Sequence, residues 1–181
     1  MINLTKSLEK NGLGLFVTGS AMAGENFDWP LERTLYSYLV EWAHITSHHV
    51  AVIDINGEEI TYEVLLSLVN SRAYFLEKKH AFGKVVISER SRDIECLVDI
   101  LACSAVGAIY APVDPRWPET RRKHIKTITN AVAIFTDTTL RETEIKAPLG
   151  DTFLERVDDP YNVPSYCFFT SGSTGEPKGA L

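Results

Sequence analysis

The chain is predicted to form an α/β fold: a mainly parallel sheet with helices on its faces. Two observations carry that reading. Segments with helical apolar spacing alternate with short β-branched runs through most of the 181 residues, the pattern expected when strands run parallel and helices return the chain. Cap and turn signals fall at the junctions between them.

Residues 1–30 show little periodicity and read as an irregular lead-in, with one domain expected over 31–181. Leu31, Leu35, Leu39 and Trp42 fit a helix with Pro30 near its first turn. Val50 to Ile55 is β-branched and short, Asn56-Gly57 gives a hairpin turn signal, and Ile60-Thr61 forms the return strand. Thr61 is placed to cap a helix from Tyr62 to about Lys78, with Leu65, Leu68, Val69 and Leu76 on one face.

Gly83 breaks that pattern, and Lys84 to Ser88 reads as a buried strand. Ser91 is expected to cap the next helix, where Asp93 and Glu95 favour the positive end of the dipole. That helix carries Ile94, Leu97, Val98, Leu101 and Val106, and Gly107 ends it. Ile109 to Ala111 is a strand stopped by Pro112. A basic helix spans roughly Glu119 to Thr129, and Ala131 to Thr136 is another strand. Residues 137–164 read mostly as loop, and Tyr166 to Phe169 is an apolar strand that enters a Gly/Ser/Thr loop.

Composition is that of an ordinary globular protein, with 45% hydrophobic and 23% charged residues. A net charge of -6 offers no basic field to a nucleic acid, and no polybasic cluster adjoins a greasy helix as a membrane surface would require. Any polyanion must therefore be held by a local device. The three cysteines lack metal-ligand spacing and read as buried thiols of a reducing cytosol; the five histidines lack partners and read as surface or loop residues. Gly12 and Gly14 interrupt the apolar run near the N-terminus, which is too short for a secretory signal. Ile94 to Val113, the most apolar stretch, contains Glu95 and Asp99, which argues against a membrane helix. The expectation is a soluble, cytosolic protein.

The local device is Thr170-Ser171-Gly172-Ser173-Thr174-Gly175-Glu176-Pro177-Lys178-Gly179. Its glycines let the backbone curl so that successive N–H groups converge on one point, an anion-binding nest. Four hydroxyls add donors, and Lys178 adds a full charge. Charge-assisted hydrogen bonds are worth roughly 1.5–3 kcal/mol each, so several can hold a triphosphate without a basic surface. The P-loop requires Gly before its Lys and Ser or Thr after it. Here the neighbours are Pro177 and Gly179, which excludes that motif.

The run from Tyr166 to Gly179 resembles the phosphate-binding signature of the adenylate-forming superfamily, which includes acyl-CoA synthetases, luciferases and the adenylation domains of peptide synthetases. Ser104 through Gly107, Tyr110, Pro112 and Asp114-Pro115, continuing by Trp117-Pro118 to Arg121, resembles a segment of aminoacyl-activating domains. Thr61-Tyr62 resembles another early segment. The family usually has a lysine where Ala105 stands and an acid where Val64 stands; neither lies in the phosphate loop. The likeness runs from about Thr34 to Leu181 and is greatest to the amino-acid adenylation domain of a peptide synthetase. For Gly107 to Pro115 a packing role is expected, and Arg121 and Arg122 read as a solvated helix face.

The resemblance implies the first lobe of an adenylate-forming N-terminal domain. The enzyme would join an amino acid or aryl acid to the α-phosphorus of ATP, release pyrophosphate, and pass the acyl group to a carrier-protein thiol. It implies ATP and Mg2+, with Thr170, Ser171, Gly172, Ser173, Thr174, Gly175 and Lys178 on the phosphates. The family's substrate pocket, magnesium-binding acid, ribose-binding aspartate and C-terminal catalytic lysine belong to segments after such a loop. These 181 residues are therefore expected to be a truncated portion, inactive alone, with no catalytic or metal-ligating residue assigned. Self-association or a complementing polypeptide is expected to cover the open sheet. The alternative is a non-catalytic nucleotide-binding or interaction module derived from such an enzyme.

Overall fold

The structure is a computed structural model that describes residues 33–91, 93–137, 164–171 and 177–180. The lead-in expected over 1–30 and most of the loop expected over 137–164 lie outside them.

Helix α1, Leu35–Ile45, starts later than Pro30 because Thr34 caps it. The Ser37 N–H donates to Thr34 Oγ1 at 3.3 Å and the Thr34 N–H donates to Ser37 Oγ at 3.1 Å. Its buried face is Tyr36, Leu39 and Ala43, while Leu35 and Trp42 are about half exposed. Strands β1, Val50–Ile53, and β2, Glu59–Thr61, form the expected antiparallel hairpin. The first strand stops short of Ile55 because the Asp54 carboxylate takes the N–H groups of Asn56 and Glu58, at 2.8 and 2.7 Å, and closes the turn early. Thr61 then caps α2, Tyr62–Lys78, as expected. Leu65, Val69 and Leu76 are buried, but Leu68 is exposed. The position buried in its place is a charged one, Arg72.

The parallel core follows: β3 (Val85–Glu89), α3 (Ile94–Val106), β4 (Ile109–Pro112), α4 (Glu119–Thr129) and β5 (Ala133–Thr136). The strand order is β4-β3-β5, with Val86 level with Tyr110 and Ala133. Asp93, not Ser91, caps α3: its carboxylate accepts the Cys96 N–H at 2.9 Å. Gly107 ends the helix in the left-handed region, with φ +67°.

Alternation along β3 separates two apolar layers. Val86 joins Leu76, Val98, Tyr110 and Phe135 in the layer beneath α1, α2 and α3. Ile87 joins Ile109, Ala111, Val113, Ile125 and Cys167 beneath α4. The parallel sheet thus has helices on both faces, as the sequence predicts. The three cysteines are free; Cys103 and Cys167 are buried, and the half-buried Cys96 Sγ lies 3.1 Å from the Tyr110 hydroxyl. His48, His49 and His80 are exposed, although His48 lies 3.4 Å from the Glu63 carboxylate.

Candidate functional site: a hairpin at the carboxyl edge of the parallel sheet

Strands β6, Phe168–Ser171, and β7, Pro177–Ala180, pair antiparallel. The apolar strand expected from Tyr166 is thus displaced by two residues, because Ser165 to Cys167 is used instead to join the larger sheet. The Tyr110 N–H donates to Ser165 O and the Cys167 N–H to Tyr110 O, both at 2.9 Å, in a parallel bridge beside β4.

This bridge fixes the direction of the hairpin. Tyr166 is level with Tyr110, so β6 continues past Pro112 and beyond the carboxyl end of β4. In open α/β sheets this is the edge at which ligands bind. Within the hairpin Thr170 is opposite Lys178 and Ser171 opposite Pro177. Three of the residues singled out in the sequence are therefore gathered at the base of one loop. Gly172, Ser173, Thr174 and Gly175 lie outside the described residues.

Gly179 explains part of the anchoring. It pairs with Phe169, and a Cβ there would come within 3.1 Å of Phe169 Cε1 and 3.3 Å of Cys167 Sγ. Its bare backbone leaves room for both side chains over the strand. Phe169 and Trp117 pack against the apolar layer that buries Ile125 of α4. Burial pushes the Cys167 thiol up, consistent with a packed and unreactive sulfur. On the other side, Tyr166 meets Tyr110 edge-on at 5.6 Å and stacks on Phe168. Burial pushes the phenols of Tyr110 and Tyr166 up as well, so both remain protonated donors.

The start of α4 lies at the same edge, because the helix must run back from the end of β4 to the start of β5. Arg121 and Arg122 are not the solvated face the sequence suggests. Arg122 ion-pairs with Glu89 and donates from Nε to Trp117 O at 3.1 Å. Arg121 lies over the Trp117 ring, 4.1 Å from its centroid. Lys126 reaches Glu89 at 2.6 Å. Burial alone would raise the Glu89 carboxyl, but Lys126 and Arg122 outweigh it and hold the group below its ordinary value. Sequence reasoning missed this cluster; the available signal was Ile125, one turn after Arg121 on the same helix face, which marks that face as inward.

Among the described residues no group of three or more His, Cys, Asp or Glu side chains gathers to hold an ion, and no helix is long and apolar enough to cross a membrane.

Residues 39–161 match the family described as AMP-binding enzyme. Surfactin synthase subunit 3 of Bacillus subtilis (strain 168) is 33% identical over 142 residues, which cover 70% of this chain and 11% of that subunit. The N-terminal subdomain of Klebsiella oxytoca NpsA, solved with 3-hydroxybenzoyl-AMSN, superposes with a TM-score of 0.64 at 23% identity, over 82% of this chain and 40% of the subdomain. NpsA-ThdA, an artificially fused adenylation–PCP di-domain from the same organism, gives 0.68 at 23% identity, over 86% of this chain and 33% of the fusion. The chain thus spans a small part of its curated relative and under half of each solved structure. The two structures share its fold, and the match over 39–161 settles the assignment: this chain belongs to the AMP-binding enzyme family.

Proposed function

We propose that the chain is the N-terminal part of an ATP-dependent carboxylate-activating ligase, and that the loop between β6 and β7 holds the nucleotide's phosphates. The observation that carries this is the pairing of Thr170 with Lys178 on a hairpin aimed past the carboxyl edge of the sheet. Family membership supports the chemistry.

In the complete enzyme a substrate carboxylate oxygen attacks the α-phosphorus of ATP in line. The bond to the β-phosphate's bridging oxygen breaks, pyrophosphate leaves, and an acyl-adenylate remains. A carrier thiolate then takes the acyl group and releases AMP. Such a displacement needs positioning and charge screening. Thr170, Ser171, Ser173 and Thr174 supply hydroxyl donors, Gly172 and Gly175 admit the phosphates to the backbone, and Lys178 balances charge on the departing pyrophosphate. Magnesium would be carried on the phosphate oxygens, since the hairpin offers donors and a cation.

The relatives support an amino acid or aryl acid as substrate and a carrier-protein thiol as acceptor. A cytosolic setting follows from the need for ATP. The 181 residues alone are proposed to make no adenylate. The exposed Phe168 beside Tyr166 supports self-association or a complementing polypeptide.

Calorimetry of the chain with ATP tests the reading. Binding that weakens about tenfold or more in Lys178→Ala is expected, since one charge-assisted contact is lost. Failure of the unmodified chain to bind ATP overturns it. Carboxylate-dependent exchange between ATP and pyrophosphate is expected to be absent, and turnover would refute the proposed inactivity. Exchange restored by supplying the remainder of an adenylation domain supports the ligase; ATP binding without restoration favours the non-catalytic module.

A further inference from the structure

We propose that the turn joining α2 to β3 is a docking surface for a second copy of this chain, which it takes by the tip of the β1–β2 hairpin. Both surfaces are built from residues 53–84 and need no nucleotide.

The turn is basic and apolar in a chain whose net charge is -6. Lys78, Lys79, His80 and Lys84 are exposed, and Phe82 among them is 50% exposed. The lysine ion pairs of the described residues are Lys123 with Glu119 and Lys126 with Glu89; Lys78, Lys79 and Lys84 have no carboxylate. A cation in the last turn of a helix complements its dipole, which accounts for Lys78. That effect explains neither Lys84 nor the phenyl ring held in water.

The turn is also built to hold its shape. Ala81 is buried, and its N–H donates to Leu76 O at 3.1 Å. The Lys84 N–H donates to Ala81 O at 2.9 Å, and the Gly83 N–H to Gly107 O at 2.8 Å. The ammonium groups of Lys78 and Lys79 lie over the rings of Tyr74 and Phe75, at 5.0 and 5.5 Å. Little freedom is left to lose on binding, which favours association.

The complement is present in the same chain. At the hairpin tip Ile55 is 91% exposed and Ile53 61%, with Glu58 and Glu59 exposed beside them. Ile53 is directly opposite Glu59 across the strands, so an apolar and an acidic side chain are neighbours there. The Asp54 carboxylate, taken by the N–H groups of Asn56 and Glu58, fixes the tip. The hairpin joins α2 at its first residue and the basic turn leaves it at its last, 17 residues and about 25 Å along. Acidic apolar tip therefore meets basic apolar turn between copies, head to tail. Such a contact adds copies in series and does not stop at a two-fold dimer. An anionic lipid surface would match the lysines but leave the hairpin tip without a role.

Sedimentation velocity of the 181-residue chain tests this, with folding of each variant checked by circular dichroism. At low salt the sedimentation coefficient should rise steadily with concentration, and about 0.5 M salt should abolish the rise, since charge is then screened beyond a few ångströms. Lys79→Glu with Lys84→Glu makes both patches acidic, and Glu58→Lys with Glu59→Lys makes both basic. Either pair alone should weaken association about tenfold or more, because like charges then face each other. An equimolar mixture of the two should associate again, to within about threefold of the unmodified chain, which no loss of folding could produce. Phe82→Ser should weaken association with every charge kept. An unmodified chain that stays monomeric, swapped pairs that associate as the unmodified chain does, or a mixture that regains nothing overturns the proposal. Binding to phosphatidylserine vesicles by a chain that does not self-associate overturns it in favour of a membrane surface.

Discussion

Arg72 of α2 and Asp99 of α3 are ion-paired in the interior, and no part of the Asp99 side chain reaches solvent. The same carboxylate accepts from Ser88 Oγ at 2.7 Å and Arg90 Nε at 2.9 Å, while Arg72 also reaches Glu95 at 2.6 Å. Removing the carboxylate takes one partner from each of two buried guanidinium groups, leaving Arg72 to Glu95 and Arg90 to Asp137 at 3.8 Å. Asp99→Ala is expected to cost roughly 3–5 kcal/mol, the penalty of breaking a buried pair from one side. Urea denaturation checks it, and a loss below about 1 kcal/mol would mean the site is wet.

The start of α3 gives a sharper comparison. Asp93→Ala should cost about 1 kcal/mol by freeing the Cys96 N–H. Ser91→Ala should change stability by less than about 0.5 kcal/mol. Thermal melts of the two variants side by side decide which residue is the cap.

Gly107 closes the other end of that helix with φ +67°. Gly107→Ala forces a Cβ into the left-handed region, at a cost of roughly 1–2 kcal/mol. For a chain of this size the melting temperature should fall by about 2–8 °C. An unchanged melt would show that the turn relaxes to another conformation.

Glu89 predicts an acid limb of stability. Its carboxyl is held below the ordinary 4.5 because Lys126 and Arg122 outweigh the effect of burial. A lowered folded-state value means that the unfolded chain binds the proton first. The stabilisation is therefore present above the ordinary value and lost as pH falls through the folded one. Asp99 works oppositely, since burial pushes its carboxyl up despite Arg72 and Arg90. Comparing the chain with Glu89→Gln isolates the first effect. The stability difference should be largest near neutral pH and shrink below about pH 4. A difference independent of pH would show that Glu89 does not titrate with folding.

Two helices were legible with approximate ends, Tyr62 to about Lys78 and roughly Glu119 to Thr129, the first because Thr61 marks its start in the local sequence. Leu68 and Arg72 were not, since which side of a helix a charged residue takes depends on Asp99, far along the chain. The run proposed as a phosphate loop was visible because its residues are consecutive in the sequence. Its setting was not. The hydrogen bonds of Ser165 and Cys167 to Tyr110 join distant strands, and Arg121 gains its orientation only once Trp117 is packed.

The bridge between Tyr110 and Tyr166 also makes the strand that follows it intolerant of small length changes. Side chains alternate along the segment, so Cys167 and Phe169 enter one layer while Tyr166 and Phe168 stack in the other direction. A single-residue insertion between Tyr166 and Cys167 would exchange the two sets of side chains. An insertion of two would keep each residue's side and lengthen the reach past the carboxyl end of β4.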